Sequence, residues 1–171
     1  METRDALRAR RNVRSFADRP IPEAQLVEIL EAGRRAPSAN NRQHWDFLVS
    51  TDRQELEQLA TLWQGAGHVA SSAATITLVL PAPDDERQAM IDQFDLGQAV
   101  MAMAVAAADL GIGSGHAAIA DQARCRELLG LPADRYGAYF LALGYPADRP
   151  ISPVASPKRR PFEEVVHRGR W

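Results

Sequence analysis

Apolar residues recur at helical spacing between residues 23 and 33, where Leu26, Ile29 and Leu30 share one side and Gly33 follows. This spacing predicts an amphipathic helix that opens after Pro22, a residue suited to a first helical turn, and ends near Gly33. A shorter helix is expected over TRDALRA, residues 3–9. APSANNRQ, residues 36–43, has no period and is rich in proline, small and amide residues, so it reads as a loop. Beyond it the pattern changes. WDFLVST (45–51), ATITLVL (74–80) and YGAYFLALGY (136–145) are apolar runs with β-branched or aromatic residues, and they predict three strands.

Helices are expected between these strands. RQELEQLATLW (53–63) follows Thr51 or Asp52, either of which can cap it. A long helix opens at Asp84 or Asp85 and runs to about Leu110, apolar all round toward its end. Residues 120–129 are helical with Asp121 as the cap, while GIGSG (111–115) reads as a glycine-rich turn. From Pro146 onward the chain is proline-rich and weakly periodic, and is expected to lie extended across a surface. Strands interleaved with helices predict an α+β or α/β fold.

Composition narrows the functional classes. The 171 residues, 46% hydrophobic and 25% charged, fit a single folded domain spanning 1–171. A formal net charge of -2 and a pI near 6.1 supply no global positive field, so nucleic acid is not expected as a partner. The longest apolar stretch, AVMAMAVAAADL (99–110), is broken by Asp109 and falls short of the ~20 residues a membrane span needs. No membrane association is expected. One cysteine, Cys125, and a charged amino terminus point to a reducing, cytoplasmic setting.

Candidate chemistry is local. His44, His68, His116 and His167 are far apart and show no metal-ligand spacing, so no metal is expected. Cys125 lies in a helical pattern and reads as a small buried hydrophobe. GIGSG follows a helix and lacks the third glycine of a dinucleotide fingerprint, but its glycines permit close backbone approach to a flat ligand, or simply a helix end running into a turn. RARRNVRSF (8–16) places four arginines in seven positions. Arg10 and Arg14 stand four apart, and guanidinium forks bind phosphate bidentately; the alternative is a solvated helix face. SPKRRPF (156–162) is a second basic cluster near the other end of the chain. Two such clusters are easiest to reconcile with an anion between them.

Together these stretches resemble the nitroreductase family of flavin-dependent NAD(P)H oxidoreductases. RRNVRSF (10–16) is similar to that family's opening arginine motif, and APSANNRQHW (36–45) to its P-S-x-x-N-x-Q-P-W loop. DLGQAVMAMAVAAADLGIGSG (95–115) resembles its long central helix and glycine turn, and KRRPFEEVVH (158–167) its closing tail. The resemblance implies an α+β fold: a mixed, mainly antiparallel sheet surrounded by helices, with a long central helix and an extended C-terminal tail. It implies a homodimer with FMN at the interface, NADH or NADPH as co-substrate, and a nitroaromatic or quinone reduced in ping-pong order. No side chain is implied as a nucleophile. Arg10, Arg11 and Asn12 match positions that hold the ribityl phosphate and chain, and Arg14 matches a basic residue beside the flavin ring that tunes it. Pro37, Ser38, Ala39 and Asn41 match the loop that faces the ring or comes from the partner subunit. Ser114 and Gly115 match the turn that contacts the ring, and Arg159, beside Lys158 and Arg160, the tail's phosphate contact. Asn12 replaces the usual serine and His44 the usual proline. The compact segment from Thr51 to about Asp92 implies a more open or differently roofed pocket. A second reading is a flavin- or deazaflavin-binding dimer that stores or senses the cofactor without nitroreductase turnover.

Overall fold

A computed structural model describes residues 1–171. Its elements are helices α1 (Thr3–Ala9), α2 (Glu23–Arg34), α3 (Arg53–Ala60), α4 (Glu86–Asp109) and α5 (Gln122–Leu129), with strands β1 (Asp46–Ser50), β2 (Ala74–Pro81), β3 (Gly113–Ala118) and β4 (Arg135–Gly144). The strands form one sheet in the order β1-β2-β4-β3, every neighbouring pair antiparallel. The one parallel pairing is an isolated bridge between Asn12 and Ser114, so the mixed, mainly antiparallel α+β architecture is what the chain adopts.

The caps explain where the helices start. Asp52, Asp85 and Asp121 each accept a hydrogen bond from the backbone N–H three residues on (Glu55, Gln88 and Arg124), satisfying one of the donors a helix start leaves free. Both faces of the sheet are covered, which is why β2 is buried along nearly its whole length and reads as a continuous apolar run. Ile76, Leu78, Leu80, Leu141 and Leu143 pack with Leu26 and Ile29 of α2 and Leu96, Ala99 and Met103 of α4. Val79, Phe140 and Ala142 face the other way, toward Leu56 and Leu59 of α3, Cys125 of α5 and Val13 of the arginine segment.

Two expectations change. Residues 113–118 form a fourth strand rather than the end of a glycine turn; only Gly111 adopts the left-handed conformation, at φ +74°. Gly113 and Gly115 are required by contact: a Cβ on Gly113 would meet the Val13 side chain, and one on Gly115 the Val13 carbonyl oxygen and the His68 ring. Glycine is a poor strand former, and that hid the strand. Helix α2 ends at Arg34, next to Gly33 as expected, but Gly33 has a further role: it lies where α2 crosses α4, and a Cβ there would sit 2.7 Å from Met103 Cγ. Helix α3 stops at Ala60, three residues short of Trp63, whose ring folds against Gly65. The tail has no regular structure beyond a short 3-10 turn at Phe162–Glu164, and is largely exposed.

Candidate functional site

Helix α1 ends at Ala9, and Arg10 turns the chain into an extended run. That run docks on the edge of the sheet: the Val13 N–H donates to the Ser114 carbonyl at 2.9 Å, and Val13 is buried over the glycines of β3. Alternation along an extended chain then sends Asn12 and Arg14 to the exposed side. The carboxyl-terminal tail returns to the same place, where the Val154 N–H donates to the carbonyl of Arg8 at 3.2 Å. Between them lies a cavity of about 510 Å³ whose walls include Arg8, Arg10, Arg11, Asn12, Lys158 and Arg159. The two basic clusters, at opposite ends of the sequence, are thus neighbours.

No carboxylate lines this cavity. Arg8, Arg10 and Lys158 enter no ion pair, and Arg159 donates only to the carbonyl of Lys158, at 2.8 Å. Arg11 differs. Its Nη2 donates to Asp148 Oδ1 at 2.7 Å and to the Arg149 carbonyl at 2.8 Å, and this contact holds the Asp148 carboxyl below its usual range. The Arg11 Nε–H is buried without a partner. A buried donor left unsatisfied is costly, so this atom marks a place where an acceptor is missing.

Next to this cavity, Ser114 is buried and Gly115 accepts a 3.4 Å contact from the buried His68 ring Nε2. Burial lowers the His68 pKa below its ordinary 6.5; the Gly115 and Gly65 carbonyls oppose that shift, and the charges of Arg14 and His116 add to it. Residue-by-residue reading missed His68, because an isolated histidine carries no spacing signal. Arg8 matches no position of the family's arginine motif and reads in sequence as a solvated residue, because nothing in a run of arginines separates one that lines a cavity from one that does not.

The loop residues fall elsewhere. Ala39–Asn41 form a 3-10 turn, with Asn40, Asn41 and Gln43 at φ +52°, +56° and +53°. Asparagine tolerates this left-handed region better than most residues, which accounts for the amide-rich sequence. Helix α4 holds the loop in place: the Ala39 N–H donates to the buried Asp95 at 2.8 Å, and His44 Nδ1 lies 2.9 Å from the buried Asp92, which also accepts from Gln88. Pro37, Ser38 and Ala39 border an apolar cavity of about 520 Å³ together with Met90 and Phe94 of α4. None of them lines the arginine cavity. Within one chain, therefore, the residues implied by the resemblance divide into two groups.

Other chemistry finds little support in the geometry. Cys125 is buried and its thiol is pushed up to about 11, so it is no nucleophile near neutral pH. No helix is long and apolar enough to cross a membrane. A cavity of about 540 Å³ near His44 and Asp92 is lined by Arg42 and Arg135 but also by Asp46, Asp84, Asp92 and Asp134, so acidic groups outnumber basic ones and it does not suit an anion.

Comparisons with known proteins match this architecture. The nitroreductase family profile covers residues 7–74 and 62–145. An oxygen-insensitive NADPH nitroreductase of Salmonella typhimurium is 32% identical over 183 aligned positions, covering 99% of this chain and 74% of that protein. An NADH dehydrogenase of Thermus thermophilus is 30% identical over 202 aligned positions, covering 97% and 95%. Among solved structures, the NADPH:FMN oxidoreductase of Vibrio harveyi in complex with NAD+ superposes with a TM-score of 0.85 at 26% identity, covering 97% of this chain and 76% of that one. The antiparallel sheet, the long α4 and the sequence relationship across most of the chain agree: this chain belongs to the nitroreductase family.

Proposed function

We propose that this chain is an FMN-dependent oxidoreductase that takes hydride from NADH or NADPH and passes it to a small electron acceptor such as a nitroaromatic or quinone, in ping-pong order. The observation that carries this reading is the meeting of the two basic segments around one cavity that no carboxylate lines. A phosphomonoester carries about two negative charges near neutral pH and offers three strong acceptor oxygens, so the residues present fit the FMN phosphate. Arg10, Arg11 and Arg159 would hold it, with Asn12 on the ribityl chain. The names of the Salmonella and Vibrio relatives support the same cofactor and co-substrate.

Bound FMN supplies the two-electron redox chemistry; the protein's own residues bind, orient and tune it. Arg14 keeps a permanent positive charge beside the expected ring position, which favours the electron-rich reduced form. Ser114 and Gly115 offer backbone on the adjacent sheet edge, where the missing Cβ of Gly115 permits close approach. Pro37, Ser38, Ala39 and Asn41 would serve the flavin of the other subunit. That Pro37, Ser38 and Ala39 line a different cavity from the arginines of their own chain supports this, as does the exposed stripe of Met90, Phe94 and Met101 on α4. A homodimer burying that stripe would bring the two half-sites together. The 171 residues act as one domain, since both apolar cores share β2 and β4. The single, buried cysteine fits a cytoplasmic setting.

The test is the visible spectrum of the purified protein. A bound flavin that bleaches anaerobically on addition of NADH or NADPH is the expected result; a colourless protein that takes up no FMN sinks the reading. Arg10→Ala and Arg159→Ala should each weaken FMN binding by about 1.5–3 kcal/mol, the usual range for a charge-assisted contact, with unchanged circular dichroism. Arg14→Ala should shift the flavin midpoint potential more than the affinity. Tight FMN binding with reduction no faster than that of free FMN would instead favour a storage or sensing role.

A further inference from the structure

The cavity of about 540 Å³ beside His44 differs from the arginine cavity in its charge and in what its groups leave unused. Four aspartates line it, Asp46, Asp84, Asp92 and Asp134, against two arginines, Arg42 and Arg135. Both arginines are turned to protein acceptors. Arg135 lies 3.5 Å from Asp46 and 3.7 Å from Asp134, and Arg42 donates to Gln88 Oε1 at 2.7 Å. Several acceptors, by contrast, remain free. Asp84 enters no ion pair, and Gln43, whose Nε2 donates twice to Asn41, has no donor at its Oε1. Asp92 is the most telling. Its side chain is only 4% exposed yet lines the cavity; Oδ1 accepts from His44 and Gln88, while Oδ2 has no partner. A buried carboxylate oxygen without a donor is costly, so this one marks a missing donor.

A metal ion does not fit this arrangement: no three carboxylates or imidazoles gather closely enough to ligate one, and the volume is that of a small-molecule site. An alkylammonium does fit, because it brings three N–H donors and no acceptor, and its hydrogen bonds to carboxylates are of the stronger, charge-assisted kind. The free acidic groups also lie at two depths, Asp92 buried and Asp84 exposed, so a ligand with a charge at each end satisfies both. Four aspartates against two arginines leave an excess of two acidic groups, which a doubly charged ligand offsets. We propose that this cavity binds an aliphatic diamine, with one ammonium donating to Asp92 Oδ2 at the buried end, the other to Asp84 at the rim, and Gln43 Oε1 as a further acceptor. The site is separate from the arginine cavity and does not depend on the flavin reading.

The experiment is calorimetric titration of the purified protein at low ionic strength, where screening is least, with putrescine as the probe. The comparison ligands are n-butylamine, butanediol and magnesium chloride. Putrescine should bind wild type saturably at one per chain, n-butylamine at least fivefold more weakly, and butanediol not at all. Asp84→Asn, an exposed change that breaks no ion pair, should bring putrescine down to the level of n-butylamine. Asp92→Asn should weaken both amines at least tenfold, with circular dichroism as the check on folding, since Asp92 also holds His44. Absence of saturable putrescine binding overturns the proposal, as does n-butylamine binding as tightly as putrescine. An undiminished putrescine affinity in Asp84→Asn overturns it as well, even where Asp92→Asn does not fold. Magnesium that displaces putrescine at equal concentration would make this a metal site and overturn the assignment to a diamine.

Discussion

Arg10 and Arg11 are neighbours of the same type, yet the fold gives them different surroundings. Arg11 is anchored by Asp148 and the Arg149 carbonyl, while Arg10 has no protein acceptor. The run of arginines was visible in the sequence; the division of labour within it depends on Asp148, far away along the chain. His68 makes the same point more strongly. Its ring is desolvated between the Gly65 and Gly115 carbonyls, and its pKa is lowered chiefly by burial. The unfolded chain takes up a proton at the ordinary value near 6.5, whereas the folded protein does so only at lower pH. Protonation therefore favours unfolding, and this contribution to stability is present above pH 6.5 and lost as pH falls through the folded value. Urea midpoints measured between pH 5 and 7 should fall toward the acid side in wild type and fall less in His68→Gln; parallel curves for the two proteins would show that His68 does not titrate this way.

At the scale of elements, β3 and the arginine run depend on each other. The run bridges to β3 at Asn12 and to Pro146, just past β4, at Phe16, and β3 can accept it only because Gly113 and Gly115 leave room for Val13. A methyl group at Gly115 would fall on the Val13 carbonyl oxygen, a backbone atom that cannot swing aside as a side chain can. Gly115→Ala should therefore destabilise the protein by about 1–3 kcal/mol, as overpacking does, seen as a lower urea midpoint. It should also weaken FMN binding, because the segment carrying Arg10 and Arg14 loses its dock. A midpoint equal to wild type would mean that the segment is held by other contacts. Helix α4 has a double role: one side packs Leu96, Ala99 and Met103 into the core, while Asp92 and Asp95 pin the loop from Ala39 to His44. The helix itself was legible from its cap and apolar content. That its buried carboxylates hold a loop of left-handed residues was not, since these contacts span some fifty positions of sequence.

At the scale of the whole molecule, a single chain carries two separate cavities: the basic one at the meeting of its two ends, and one bordered by Pro37–Ala39, Met90 and Phe94. Large apolar side chains that are 68% and 70% exposed, as Met90 and Phe94 are, sit at substantial cost unless a second surface covers them. In the proposed dimer, Phe94→Asp should leave only monomer in light scattering coupled to gel filtration, and FMN should be lost with it, although the arginine cavity is untouched. A monomeric wild type that retains FMN would rule out the shared site.

What the sequence determined by itself was local. Three of the four strands, the helices and their aspartate caps follow from period and from short-range hydrogen bonding, and the arginine runs from residue type alone. Tertiary structure decided whatever depends on approach between distant segments. The glycines of 111–115 look flexible in sequence, but two of them are needed by contact with Val13. Gly33 looks like a helix stop, and α2 does end beside it, but it also lies where two helices cross. The convergence of Arg10 with Arg159 belongs to the same class: charge alone suggested that the two ends share an anion, but only the docking of the arginine run on β3, and of the tail on Arg8 and Ser15, brings them to one cavity. Period and propensity act over a few residues, whereas close packing selects residues by what lies opposite them, and that partner is set by the fold.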